Sequence, residues 1–146
     1  MFVERLLAAA HKRLITISAD ASFLEAARFL GSGTDLVVVC SSDDTIVGVI
    51  TKTDVVRQIG AGQRVSFGTP ASAVMTSRVI LCQPGDWLND VWIRMREGAL
   101  ENVPIIDESG RPLGLLNARD ALQILLEEAE DEEALLLNYV MGVGYQ

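Results

Sequence analysis

A chain of 146 residues with 49% apolar and 22% charged side chains is too apolar for disorder and of a size that makes one compact domain. Its formal net charge of −8 repels nucleic acid, whose binding rests on Lys and Arg neutralising phosphates, so DNA and RNA are excluded as direct partners. No apolar run approaches the roughly 20 residues of a membrane span, and the expectation is a cytoplasmic protein with no export signal, anchor or membrane insertion.

In chain order, the first element expected is an amphipathic N-terminal helix carrying His11, Lys12 and Arg13, with His11 on its surface. As the only histidine, it leaves no imidazole partner for a metal site or an acid–base pair. A short strand, Leu14–Ile17, and a polar turn, Ser18-Ala-Asp20, precede a helix that opens on Ser22-Phe-Leu-Glu25, the Ser-x-x-Glu form of a capping box. Phe23, Ala26, Ala27 and Leu30 fall at helical spacing, and Gly31 and Gly33 end the helix. Leu36–Cys40 and Ile46–Ile50 read as strands around the turn Ser42-Asp43-Asp44, and their consecutive β-branched residues predict burial on both faces. A helix then starts at Thr51 or Thr53.

After a polar linker from Gly60 to Pro70, the same series returns: strand Val79–Cys82, turn Gln83-Pro-Gly-Asp86, and a helix with Trp87, Val91, Ile93 and Met95 that stops near Gly98. Strands Val103–Ile106 and Pro112–Leu116 follow around Asp107–Gly110, with a last helix from about Asn117. Trp87 and Trp92 read as packing residues. Cys40 and Cys82 lie in apolar runs without C-x-x-C spacing and read as small buried hydrophobes. The acidic run Glu127–Glu133 lacks the alternating ligands and turn glycine of a calcium loop and reads as a solvated helix face. The apolar Leu135–Met141 stretch behind it is expected either to fold back on the protein or to form a dimer contact.

Sliding residues 16–59 onto 82–125 without a gap, a shift of 66, superposes Asp20 on Asp86, Arg28 on Arg94, Val37 on Val103, Gly48 on Gly114 and Asp54 on Asp120. Neither copy is large enough to bury a sufficient core alone, so the two must pack together. The expected fold is α/β: tandem βαββα repeats packed with pseudo-twofold symmetry, plus N- and C-terminal helices. Its divisions are repeat 1 at 14–59, a linker at 60–77, repeat 2 at 78–126 and an acidic then apolar terminal helix at 127–146.

Each repeat ends in a strand that runs into a helix start, Gly48-Val-Ile-Thr51-Lys-Thr-Asp54 and Gly114-Leu-Leu-Asn117-Ala-Arg-Asp120. A helix N-terminus offers unpaired N–H groups to phosphate, Thr51 adds a hydroxyl, and an acidic residue on the first turn can accept two ribose hydroxyls. Taken once, the pattern also fits a plain N-cap with a dipole-complementing Asp; its repetition at the same offset points to ligand chemistry. An Asp on an exposed first turn is expected to contribute only about 0.3–1 kcal/mol to stability.

These endings, together with Ala73-Val-Met75-Thr76 before the second repeat, resemble a cystathionine β-synthase (CBS) domain pair, or Bateman module, over residues 14–125. The resemblance implies two clefts between packed sheets, binding of AMP, ADP, ATP, NAD or S-adenosylmethionine, and regulation of a partner protein. It assigns phosphate to Thr51 and ribose to Asp54. The adenine enclosure falls to Thr16 and Ile17 with Val38 and Val39 in one copy, and to Leu81 and Cys82 with Val103 and Pro104 in the other. Asn117 departs from the expected Thr or Ser; its amide can still donate, Arg119 adds a cation nearby, and Asp120 takes the ribose.

The leading expectation is therefore a free-standing, non-catalytic sensor, homodimeric, with no cofactor beyond its adenosyl ligand and with its output in an unidentified partner. A structural dimerisation module with unoccupied clefts is the alternative. A nucleotide hydrolase lacks a Walker-type loop, a metal cluster or a Ser/His/Asp set.

Overall fold

The computed structural model describes residues 1–61, 66 and 68–144, with side chains as far as 142. Residues 62–65 and 67, within the expected linker, lie outside the described residues. A 3₁₀ turn, Val3–Leu6, leads into α1 (Leu7–Arg13). The first repeat then runs β1 (Thr16–Ser18), α2 (Phe23–Gly31), β2 (Leu36–Cys40), β3 (Ile46–Thr51) and α3 (Lys52–Gly60). A short helix, α4 (Ala71–Val74), leads to α5 (Leu88–Glu97), β4 (Asn102–Ile106), β5 (Pro112–Asn117) and α6 (Ala118–Gly144).

Local chemistry accounts for the boundaries. The Ser22 hydroxyl caps α2 by accepting from the Glu25 N–H at 3.4 Å. Gly33, at φ +107°, takes the left-handed turn beyond the helix that a side chain would strain. Both hairpins place a left-handed residue in the turn, Asp44 at φ 60° and Gly110 at φ 86°. β1 pairs parallel with β2, and β2 antiparallel with β3, so the sheet order is β1-β2-β3. As the run of β-branched residues predicts, Leu36 through Cys40 are all buried.

The second sheet departs from expectation. Val79–Cys82 does not form a strand: β4 and β5 pair as a two-stranded sheet, and Cys82 alone makes a parallel bridge to Ile105. Its N–H donates to the Pro104 carbonyl at 3.1 Å and its carbonyl accepts from Ile106 at 2.9 Å. Pro104 stands where Val38 of the first repeat donates its N–H to Ile15, and with no N–H to offer it leaves residues 79–81 unpaired, while Pro84 cannot extend the ladder beyond Cys82.

Two cores flank a third. One, built on Ala26, Leu30, Val37, Val39 and Ile50, lies inside the first repeat. Another, built on Leu88, Val91, Met95, Val103, Ile105 and Leu116, lies inside the second and also takes Val3, Leu6 and Ala10 from the N-terminal segment. Between them Leu36, Val38 and Val49 of the first repeat pack with Leu115 and Val79 of the second, forming the seam. Trp92 packs against the second core with Arg96 over its ring at 5.1 Å. Trp87 is more exposed than a packing residue should be, at 54%, and stacks on Phe2 at 4.7 Å.

The seam is crossed twice, at pseudo-equivalent places. Met75 and Thr76, on the way into the second repeat, lie across Gly48 of β3, where a Cβ would sit 2.6 Å from the Met75 sulfur and 2.9 Å from the Thr76 carbonyl oxygen. Helix α1, on the way into the first repeat, lies across Gly114 of β5, where a Cβ would sit 2.8 Å from the Ala10 Cβ and 3.0 Å from the His11 nitrogen. The glycine of each motif is needed for this close crossing. His11 is exposed as expected, its Nδ1 3.1 Å from the Leu113 carbonyl.

The C-terminal stretch does not fold back. α6 continues without a break from the second motif through the acidic run, and Leu135, Leu136, Leu137, Tyr139, Val140 and Met141 are all more than half exposed. Among the described residues no helix is long and apolar enough to cross a membrane.

Candidate functional site

The two motif helices begin differently. Thr51 is the N-cap of α3 in a full capping box: its hydroxyl oxygen accepts from the Asp54 N–H at 3.4 Å, and the Asp54 carboxylate accepts from the Thr51 N–H at 2.9 Å. The same Oδ2 accepts from the Thr51 hydroxyl at 3.2 Å. Its other oxygen accepts from the Thr76 hydroxyl at 2.8 Å and from Arg57 at 3.3 Å. Asp54, expected on the surface, is 5% exposed and is the buried charged residue of the described chain.

Asn117 caps α6 instead. Its side-chain oxygen accepts from the backbone N–H groups of Arg119 at 3.0 Å and Asp120 at 3.3 Å, and its amide donates to Asn102 at 3.1 Å. Asp120 is half-open and is held by α1: Arg13 Nε and Nη2 both reach Oδ2, at 3.0 and 2.9 Å. Each motif carboxylate thus meets the segment that enters the other repeat, Thr76 for Asp54 and Arg13 for Asp120.

Two adjoining openings lie at this end of the seam. The first, about 430 Å³, has Thr51, Lys52 and Thr53 on one side and Ala99 to Asn102 on the other. The second, about 340 Å³, has Asn117, Ala118 and Arg119 with Arg13. Asp35 and Glu101 border both. These two acids are 66 residues apart, as are Thr51 and Asn117, so the openings are related by the repeat. Lys52 is paired with Asp35 at 3.8 Å; Arg119 is exposed and makes no ion pair among the described residues.

The residues assigned to adenine are not gathered there. Thr16 and Ile17 border a separate opening of about 510 Å³ with Ser18, Cys40 and Arg111. Val38 and Val39 are fully buried, Val38 in the seam and Val39 in the first core. Leu81 is half-buried, while Cys82, Val103 and Pro104 sit inside the second repeat, away from solvent. Burial pushes the Cys82 thiol up to about 12, with Asp86 adding to the rise and Arg94 opposing it; burial, then Asp44, also raises Cys40. Both are buried free thiols, as their apolar context indicates. Among the described residues no cluster of His, Cys, Asp and Glu is placed to hold a metal.

Sequence reasoning missed Thr76, Arg13, Asp35 and Glu101. The 66-residue shift carries a signal for one pair, because Asp35 falls on Glu101, acid on acid. Nothing local marks Arg13, which meets its partner 107 residues away.

The CBS domain family matches residues 3–61 and 71–127. A CBS-domain containing protein from Agrobacterium tumefaciens is 28% identical, with a TM-score of 0.69 over 84% of this chain and 91% of its own. A CBS domain protein from Pyrobaculum aerophilum complexed with AMP is 24% identical and shares the fold, with a TM-score of 0.73 over 89% of this chain and 99% of its own. An uncharacterized protein from Methanocaldococcus jannaschii is 26% identical over 105 residues, 71% of this chain. The chain spans 25% of the length of that relative and about half of two others. Two family matches across a 66-residue repeat, with the two halves crossing over each other at the glycines of their closing motifs, make this chain a CBS domain pair and a member of the CBS domain family.

Proposed function

We propose that this CBS pair is a non-catalytic regulatory module that binds an adenine nucleotide at the seam between its repeats and acts on a partner protein as a homodimer. The observation that carries this reading is the pair of repeat-related openings, each with a motif residue, Thr51 or Asn117, on its rim; that residue is hydrogen-bonded to the motif aspartate, which lies behind it and does not itself line the opening. The AMP complex of the P. aerophilum protein supports the ligand class. Asp54 and Asp120 are the ribose carboxylates in this reading. At Asp120, Arg13 holds one oxygen and leaves the other to accept a ribose hydroxyl.

Calorimetric titration of the purified protein with AMP, ADP, ATP, NAD and S-adenosylmethionine tests it. At least one should bind, and Asp120→Ala should weaken that ligand by about tenfold to a hundredfold, the loss expected from charge-assisted hydrogen bonds. No binding by any of the five would end the reading. It would favour a structural dimerisation module, which has its own support in the full occupation of Asp54 by Thr51, Thr76 and Arg57.

A further inference from the structure

The two openings share their acids but differ in their cations, and the groups expected to receive phosphate are already engaged. The Thr51 hydroxyl is 3.2 Å from Asp54 as donor and accepts from the same residue's N–H. The Asn117 amide donates to Asn102, and its oxygen is committed to capping α6. At the second opening the backbone N–H groups are engaged as well, Ala118 with the Glu101 carbonyl and Arg119 and Asp120 with the Asn117 side-chain oxygen, so phosphate donors there come from the charged side chains. In the first opening the cation on the rim, Lys52, is paired with Asp35. In the second, two guanidinium groups converge, Arg13 from α1 and Arg119 from the first turn of α6.

We infer that the second opening is the phosphate-selective one, with Arg13 and Arg119 as its anion-binding residues; the inference rests on the nucleotide-binding reading above and names which of the two openings recognises the phosphate. A guanidinium has five N–H donors in a planar fork. Arg13 spends those of Nε and Nη2 on a single oxygen of Asp120 and keeps its Nη1 donors for a second acceptor. It can hold the carboxylate in place for the ribose and, with Arg119, clamp a phosphate attached to that ribose. The ligand this arrangement fits is a nucleoside monophosphate. The two guanidinium groups supply donors for a single phosphate, while Asp35 and Glu101 on the same rim, with Asp120 behind them, oppose further negative charge. Arg13 also belongs to the N-terminal segment that packs over Gly114, so the phosphate end of the ligand is read by a part of the chain outside either βαββα unit.

The test is a titration of adenosine and AMP into the wild-type protein, Arg13→Gln/Arg119→Gln, Arg119→Gln, and Lys52→Gln as the control in the first opening. AMP should bind the wild type at least about tenfold more tightly than adenosine. In Arg13→Gln/Arg119→Gln that advantage should fall to about threefold or less, although adenosine itself weakens with the loss of the Arg13 contact to Asp120; in Arg119→Gln alone the advantage should also fall, with adenosine affinity held within about twofold, and both variants should keep a far-UV spectrum like that of the wild type. Lys52→Gln should keep the full advantage. The inference is overturned if the advantage survives in the arginine variants, if Lys52→Gln is the change that removes it, or if the wild type binds adenosine and AMP equally. Binding of neither ligand by the wild type would instead bring down the proposed function itself.

Discussion

The Thr76 hydroxyl donates to the Asp54 carboxylate at 2.8 Å, joining the segment that enters the second repeat to the helix that closes the first, 22 residues earlier. Asp54 is 5% exposed, and the bonds it accepts from Thr51, Thr76 and Arg57 replace the water it has lost. Removing the carboxylate leaves the Thr51 N–H and the Thr76 hydroxyl, both part-buried, without their acceptor. Asp54→Ala should cost about 2–4 kcal/mol, several times what an exposed first-turn Asp contributes. Thr76→Val should cost about 1–2 kcal/mol, and the double variant less than the sum, since both remove the same bond. Urea denaturation of the four proteins checks this. A loss for Asp54→Ala below about 1 kcal/mol would return the residue to the role of a surface dipole complement.

Gly48 and Gly114 should resist substitution for a reason unrelated to φ. A Cβ on either would lie within 3 Å of the segment that crosses it. Each change to Ala should destabilise by about 1–3 kcal/mol, as overpacking does. Gly48→Ala should be partly rescued by Met75→Ala, because two of its three close atoms belong to that flexible side chain. Gly114→Ala meets Ala10 and the backbone of His11, so relief there requires α1 to move and Arg13 with it. Melting temperatures of the three variants read the effect. Full tolerance of Ala at both positions would contradict the crossing geometry.

Alkaline pH should expose the cost of ionising Cys82. In the unfolded chain the thiol titrates near its ordinary value of 9.0, and in the fold burial holds it at about 12. The folded state binds the proton more tightly, so the stabilisation is whole below pH 9 and is lost as pH rises toward 12. Each unit in that window removes up to about 1.4 kcal/mol. The denaturation midpoint of the wild type should fall more steeply between pH 8 and pH 10.5 than that of Cys82→Ala. Parallel slopes would show that the thiol reaches solvent before global unfolding.

The terminal part of α6 carries Leu135, Leu136, Leu137, Tyr139, Val140 and Met141, which at helical spacing leave little of its circumference polar. An apolar surface of this kind calls for cover. If a second copy supplies it, sedimentation at micromolar concentration should give a dimer of the 15.8 kDa chain, and truncation after Glu133 should shift the protein toward monomer. A stable monomer at full length would dismiss the homodimer.

The sequence was most legible where structure is local or repeated. The 66-residue shift predicts two hairpins of matching length, and Ser22 announces the cap of α2 from its own four residues. Val79–Cys82 was misread because a parallel bridge depends on a partner strand brought up by the rest of the fold, and apolar character alone does not recruit one. The site was legible as a motif and illegible as an arrangement. Asp54 and Asp120 lie at the seam, but their partners, Thr76 and Arg13, come from the leading segment of the opposite repeat, a crossover that no spacing within a repeat encodes. The capping box over Thr51 hides in the same way: Thr-x-x-Asp serves equally as a helix start and as a ligand motif, and burial decides how much of it a ligand can reach.

Helix α6 is one uninterrupted rod of 27 residues, about 40 Å long, whose first turn is pinned at Asn117 and Asp120. Ala121, Ile124 and Leu125 pack it on the second core, and the part beyond Glu128, about 24 Å, projects as a pointer: a tilt of about 5° where the packing ends would carry its far end through about 2 Å. A change at the Arg13–Asp120 contact that tilted the helix would thereby be largest at Tyr139 and Met141, without any hinge in between.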